Sequence, residues 1–199
     1  MDPRWTTLLA ETRTAHNTLP ALADFVAFPD TLTEQPVTPY HTPAADLFYN
    51  EPNLFTDRFA GFRDALIAAG PLAQWRETYK GTPIGADFLN RFACYEFIGH
   101  DAPFGTDRMR GFMVYQPPGL HYPWHHHPAE EMYVVLAGEA EFAIEGEGVQ
   151  TLRAGACVYH RSNVPHALTT HEYPILAYVL WRNHFDVKPV LTYPDEVTG

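Results

Sequence analysis

The stretch Gly119–Gly138, GLHYPWHHHPAEEMYVVLAG, holds four histidines, two glutamates and two tyrosines in twenty residues. Side chains on an extended chain alternate between faces, so His125 and His127 point one way and His126 the other. Pro128 and Ala129 can turn the chain. Beyond them Glu131, Tyr133 and Val135 share one face, and Met132, Val134 and Leu136 form an apolar face opposite. Two imidazoles, a carboxylate and a phenol can therefore converge on one side of a β segment. Imidazole with carboxylate suits a first-row divalent metal that keeps open positions. The alternative is a histidine-rich surface loop. A second element, GACVYHRSNVPHALTT (Gly155–Thr170), counts against it by setting His166 on a later strand.

Outward from this stretch the chain has two textures. From about Phe92 the period is two: FACYEFIG, RGFMVYQP, EMYVVLAG, EAEFAIEG, VQTLRAG, CVYHR, HALTT and ILAYVLWRN read as short strands, punctuated by Gly138, Gly146, Gly148 and Gly155. Such a run suggests a jelly roll or small barrel, which shelters strand edges. From Pro3 to about Tyr79 the pattern is helical. Trp5, Leu8, Leu9 and Thr12 share a face, and Pro20 bends or ends that helix. PDTLTEQPVTPYHTP, with four prolines, is a linker or extended arm. Ala45–Gly70 returns to helix, with Leu54, Phe55, Arg58, Phe59 and Phe62 at spacings of three and four, and Pro71–Tyr79 reads as a further short helix. The expected organisation is a helical N-terminal extension, 1–90, packed on a β-barrel, 91–199, as one compact unit.

Composition narrows the function classes. Lys and Arg number 13 against 24 Asp and Glu, a formal charge of −11, and no basic run occurs. Nucleic acid and anionic membrane surfaces are thereby disfavoured as partners. Apolar residues at 46% suffice for a packed core, yet no run approaches the ~18 apolar residues of a membrane span. The N-terminus lacks the basic segment and apolar core of a signal peptide. Cys94 and Cys157 have no metal-ligand spacing and read as reduced, buried thiols. These features predict a soluble cytoplasmic protein. The proline-rich arm leaves a homodimer open, since it could pack in cis or across a dimer.

Gly119, His125, His127, Glu131 and Gly138 match the first cupin motif, G-x5-H-x-H-x3-E-x6-G, at every spacing. Gly155 and His166 resemble the ends of the second, G-x5-P-x-G-x2-H-x3-N, although Arg161, Asn163 and Thr170 replace its proline, second glycine and asparagine. The resemblance implies a mainly β, jelly-roll-like cupin barrel over about residues 92–182, carrying an α-helical N-terminal extension. Cupins host many activities. A finer resemblance, to the compact single-cupin dimethylsulfoniopropionate (DMSP) lyases, covers nearly the whole chain. It rests on the helical extension, the ligand set, Tyr122 before His125 and Tyr133 after Glu131.

That family cleaves DMSP to dimethyl sulfide and acrylate. The resemblance implies His125, His127, Glu131 and His166 as metal ligands and Tyr133 and Tyr122 as the implicated tyrosines. A proton alpha to a carboxylate is poorly acidic, so a metal on the substrate carboxylate would absorb the developing charge. The expected cofactor is one divalent transition metal, zinc first, with iron, manganese, cobalt or nickel also compatible. Tyr133, on the face of Glu131, is the expected base; Tyr122 is the runner-up or a gating and positioning residue. The substrate, a zwitterionic sulfonium carboxylate, also needs an aromatic wall for its cation. Trp124, Tyr122, Tyr178 and Trp181 are the candidates, although alternation prevents Tyr178 and Trp181 from both facing the cavity. His121, His126, His160 and His171 are read as surface groups or as groups behind the ligands that orient one of them. The competing readings are an Fe(II) cupin dioxygenase and a binding module with a structural metal.

Overall fold

The helical half begins where Asp2 caps it: its carboxylate accepts from the Arg4 backbone N–H at 2.9 Å, and Pro3 opens helix α1 (Pro3–Thr18). The computed structural model describes residues 1–193. Trp5, Leu8, Thr12, Ala15 and His16 form the buried face of α1, while Leu9 is only partly covered. Pro20 does more than end this helix, because it occupies the first turn of a second, α2 (Pro20–Phe25). The proline-rich arm contributes the two-residue strand β1 (Thr33–Glu34).

The continuous helix expected over Ala45–Gly70 is instead two helices, α3 (Pro43–Tyr49) and α4 (Ala60–Ala69). Pro52 lies in the gap, and Phe55, expected on the buried face, is 71% exposed there. The helix expected from Pro71 to Tyr79 shrinks to a single 3₁₀ turn at Gly70–Leu72. The chain then runs extended, with bridges from Gln74 to Tyr40 and from Trp75 to Tyr95. A helix not anticipated from sequence, α5 (Gly85–Arg91), closes this half.

Strands follow: β2 (Ala93–Ile98), β3 (Phe104–Gly105), β4 (Arg110–Gln116), β5 (His121–His126), β6 (Glu130–Ile144), β7 (Gly148–Arg153), β8 (Cys157–His160), β9 (His166–Thr169), β10 (Ile175–Arg182) and β11 (Val190–Leu191). The ladder runs β1-β3-β2-β4-β10-β6-β9-β5-β11, with β7 and β8 also on β6. Among the described residues its ends do not pair, so the cupin fold here is two sheets joined through β6 and not a closed hydrogen-bonded barrel.

The two strands expected on either side of Gly138 are one. The first half of β6 pairs with β10 and β8, and the second half with β7 and β9. Gly138, at φ +73°, is the bend between the halves. A Cβ there would collide with the Pro174 carbonyl oxygen, so only glycine satisfies both the positive φ and the close approach.

Alternation sorts the side chains into two cores. Met113 and Tyr115, Val134 and Leu136, and Leu176, Tyr178 and Leu180 face the helices, where they meet Leu8, Phe48, Phe62 and Leu66. Phe112 and Val114, Tyr133 and Val135, and Val179 and Trp181 face inward and meet Tyr122, Phe142 and Leu168 of the other sheet. The inner sheet is covered on both faces, which is why β2, β4 and β10 read as nearly unbroken apolar runs. Among the described residues, no helix is long and apolar enough to cross a membrane.

Two predictions follow from this packing. Gly138→Ala adds both strain and a collision at the strand bend, and should lower stability by about 3 kcal/mol in urea unfolding. His16, buried in the helical core with Nε2 3.2 Å from the Tyr178 hydroxyl, has its imidazole pushed down to about 4 by burial. An unfolded histidine titrates near 6.5. Between these values the unfolded chain binds the extra proton, so stability is lost as pH falls from about 6.5 to 4, by about 3 kcal/mol in all. Above that window the contribution is flat. His16→Phe should remove this share of acid sensitivity, measured as the difference between the two proteins' unfolding free energies at pH 7 and pH 4.

Candidate metal centre

Each half of the site is fixed by strand pairing. His125 on β5 lies directly opposite His166 on β9, after a register shift in β5 between Tyr122 and His125. Glu131 on β6 lies opposite His160 on β8. His127 follows β5 in the short link to β6. All five side chains are buried. Ring nitrogens of His125, His127 and His166 lie within 4.8 Å of one another, and ligand atoms of Glu131, His160 and His166 form a second such group; either could hold a metal ion.

The imidazoles are oriented by the backbone. Nδ1 of His125, His127 and His166 lies 2.8, 2.9 and 2.9 Å from the carbonyls of Pro123, Ala129 and Val164 respectively. Each carbonyl can only accept, so each Nδ1 carries the proton and each Nε2 presents a lone pair to the centre. Nε2 of His127, His160 and His166 have no hydrogen-bond partner, although buried. Each such orphan costs about 1–3 kcal/mol. A divalent cation among His125, His127, Glu131 and His166 would satisfy those of His127 and His166, and a donor set of three imidazoles and a carboxylate is the chemistry it prefers. The residues present therefore fit a metal.

The carboxylate is held with equal care. Glu131 Oε1 accepts from the Trp181 indole at 2.6 Å, and Oε2 from His160 Nδ1 at 2.8 Å; His166 Nε2 stands 3.3 Å away. Burial works to raise the Glu131 carboxyl, but His127, His160 and His166 outweigh it and hold it well below the usual range. Burial also presses His125 well below its ordinary value, and takes His160 to about 4. Burial also works to lower His127, but Glu131 and the Ala129 carbonyl outweigh it and raise it; ligation requires neutral imidazoles beside the ionised carboxylate.

A cavity of about 50 Å³ borders this cluster, lined by Tyr122, Glu131, Tyr133 and Trp181 together with Arg76 and Cys94. Tyr122 stacks on His125 at 3.8 Å, nearly parallel, and its hydroxyl is 2.8 Å from that of Tyr79. The Tyr133 hydroxyl makes no hydrogen bond to any described residue; its ring lies against Phe142 and His160. Burial pushes both phenols well above their ordinary value, with Tyr79 adding to the effect at Tyr122 and Glu131 at Tyr133.

Two expected wall residues stand elsewhere. Tyr178 has the parity of Leu176 and Leu180, so it faces the helices and bonds His16. Trp124 has the parity opposite to His125 and lines a surface hollow with Ile84 and Phe88. His121, His126 and His171 are away from the centre: His126 bonds Thr192, His121 bonds Thr169, and His171 is exposed beside Glu141. Glu130 pairs with Arg182 and Tyr159 at the rim.

Sequence reading leaves out two neighbours of the site, Tyr79 and Arg76, and does not fix the place of a third, His160. Of the two positions expected for His160, surface or behind a ligand, the structure has the second: it is buried, stacked on His166 at 4.0 Å and bonded to Glu131. Tyr79 and Arg76 come from the segment expected to be helix. The register opposite Glu131 would have revealed His160, but register is invisible in one strand alone. The degraded second motif is also explained. Asn163, at the second glycine position, has φ +57°, a left-handed conformation that asparagine tolerates. Thr170, at the asparagine position, ties Leu120 N and Pro117 O through its hydroxyl.

Comparison with known proteins gives the family. The family model described as "Dimethlysulfonioproprionate lyase" matches residues 25–177. The dimethylsulfoniopropionate lyase DddQ of Ruegeria pomeroyi DSS-3 is 53% identical over 194 residues, 98% of this chain and 96% of its own. The crystal structure of that lyase superposes with a TM-score of 0.96, covering 98% of this chain and 99% of the other at 52% identity. A second structure, from a study of the DMSP lyases RdDddP and RnDddQII, gives 0.91 at 36% identity, over 96% of this chain and 98% of the other.

Adding zinc to chelator-treated protein should raise the melting temperature by about 5–10 °C at a hundredfold excess over the dissociation constant, from about 2.7 kcal/mol of binding stabilisation. His166→Ala should abolish the shift in differential scanning fluorimetry.

Proposed function

The chain belongs to the dimethylsulfoniopropionate lyase family of carbon–sulfur lyases, and from that premise we propose that it eliminates dimethyl sulfide from DMSP at the buried histidine–glutamate centre, leaving acrylate. In this reading His125, His127, Glu131 and His166 hold one divalent transition metal, zinc in the first instance, with iron, manganese, cobalt or nickel as other occupants. His160 orients Glu131. When bound, the metal supplies Lewis acidity toward the substrate carboxylate and a positive field that favours an ionised phenol nearby.

Tyr133 is the base. The observation that carries this assignment is its uncommitted hydroxyl on the cavity wall beside Glu131, whereas the Tyr122 hydroxyl is already engaged by Tyr79. Bringing a phenol from about 10 to 7 requires about 4 kcal/mol of differential stabilisation; burial makes the requirement at Tyr133 larger. Tyr133 Oη takes the alpha proton, the electrons of that C–H bond form the carbon–carbon double bond, and the C–S pair leaves with dimethyl sulfide. Tyr122, stacked on His125, positions that ligand. Trp181 fits the sulfonium wall, since it lines the cavity and its indole N–H is fixed on Glu131.

The surroundings are consistent with this chemistry. Residues 1–90 act as a cover for the unit formed by 91–199, because the helices bury the outer face of the strands that carry the site. A cytoplasmic location accords with Cys94 and Cys157 being unpaired.

Headspace gas chromatography tests the reading. Metal-loaded wild type should release dimethyl sulfide from DMSP, and chelated protein should not. Tyr133→Phe should lower kcat at least about a hundredfold, and Tyr122→Phe less. Absence of release from metal-loaded wild type would refute the lyase reading; full activity in Tyr133→Phe would remove Tyr133 from the base role.

A further inference from the structure

The active-site cavity has a cation that the proposed chemistry leaves unused. Arg76 donates its backbone N–H to the Cys94 carbonyl at 2.8 Å, which pins it beside β2. Its Nη1 donates to Glu96 Oε2 at 2.7 Å. Glu96, buried, also accepts from Nε of Arg110 at 2.7 Å, and Arg110 Nη1 donates to the Phe185 carbonyl. One carboxylate thus serves two guanidinium groups, and Asp101 also acts on Arg110. Arg110 is fully committed by these bonds. Nε and Nη2 of Arg76 make no hydrogen bond to any described residue.

Arg76 also stands on the wall that two hollows share. It lines the inner cavity with Tyr122, Glu131, Tyr133 and Trp181. It lines an outer basin of about 390 Å³ with Glu96, Asp101, Arg110, Asp186 and Lys188, where carboxylates and cations balance. Arg76 and Glu131 are the charged residues of the inner cavity, and Glu131 is already bound by Trp181 and His160. In a chain of net charge −11, a guanidinium with free donors at this junction gives a carboxylate a favourable field and a forked partner. We infer that Arg76 is a positioning residue that receives the carboxylate of the substrate, and of the departing product, between the outer basin and the inner cavity. This rests on the DMSP lyase reading. A purely architectural Arg76 would hold Glu96 and influence melting alone.

The test is steady-state dimethyl sulfide release by metal-loaded wild type, Arg76→Gln and Arg76→Lys, with acrylate as inhibitor and melting temperature recorded in parallel. In Arg76→Gln, KM for DMSP and the acrylate inhibition constant should both rise about tenfold, while kcat falls less than about threefold. Melting should change little, because Arg110 still holds Glu96. Arg76→Lys keeps the charge without the fork and should raise both constants only about threefold; if the glutamine variant does not fold, the lysine variant decides by this same rise. Release with KM and acrylate inhibition unchanged, or with kcat alone reduced, overturns the inference and leaves the lyase reading intact. A wild type that releases no dimethyl sulfide overturns the lyase reading, and this inference with it.

Discussion

Strand β6 is the constraint from which the remainder of the structure follows. Over Met132–Leu136 its even residues join the core beneath the helices, and Tyr133 and Val135 join the core between the sheets. Glu131 shares their parity and reaches the imidazole cluster. A one-residue slip would carry Met132 to the histidines and bury Glu131 under the helices, where no imidazole awaits it. The apolar contacts of Val134 and Leu136 with the helical layer therefore hold the register of the site, although none of them touches it. Gly138 extends this control, because its bend lets one strand contribute Glu131 to one sheet and receive His166's strand in the other.

The same placement makes the centre electrostatically demanding. A buried carboxylate is costly by several kcal/mol unless it is paired and hydrogen-bonded. Trp181, His160 and the facing imidazoles meet that requirement for Glu131, while backbone carbonyls fix which nitrogen of each ligand histidine is left open. The protein thus prepares the lone pairs in advance, and little reorganisation is required when a cation arrives. The tyrosines sit in the same dry surroundings and respond oppositely: burial keeps them protonated. Any role for Tyr133 as a base depends on a positive charge close by.

Much of this was legible in the sequence, for identifiable reasons. Spacing conveys parity, so His125, His127, Glu131 and Tyr133 could be placed on one face and Met132, Val134 and Leu136 on the other. Apolar composition conveys burial, which made the strands visible. What one sequence does not convey is pairing. His160 is a neighbour of Glu131 only through the β6–β8 ladder, and Tyr178 is excluded from the cavity only because β10 runs between β4 and β6 with that register. The helical half was read less well. Apolar residues at three- and four-residue spacing, Leu54 to Phe62, do not make a helix when Pro52 and the tertiary packing decide otherwise. The helix expected over Pro71–Tyr79 concealed Arg76, which lines the cavity, and Tyr79, which bonds Tyr122.

Cys94 lies on the cavity wall, within reach of whatever is formed there. Burial pushes its thiol up to about 12, so at neutral pH only about one molecule in 10⁵ carries a thiolate. Thiolates, not thiols, are the nucleophiles, and acrylate, the product of the proposed reaction, is an alkene that alkylates a thiolate when the sulfur adds to its β-carbon. An enzyme that releases such an electrophile against its own cysteine faces self-inactivation. The dry wall that makes a phenol hard to ionise also disarms the sulfur beside it, so in the proposed reaction the catalyst is shielded from its own product.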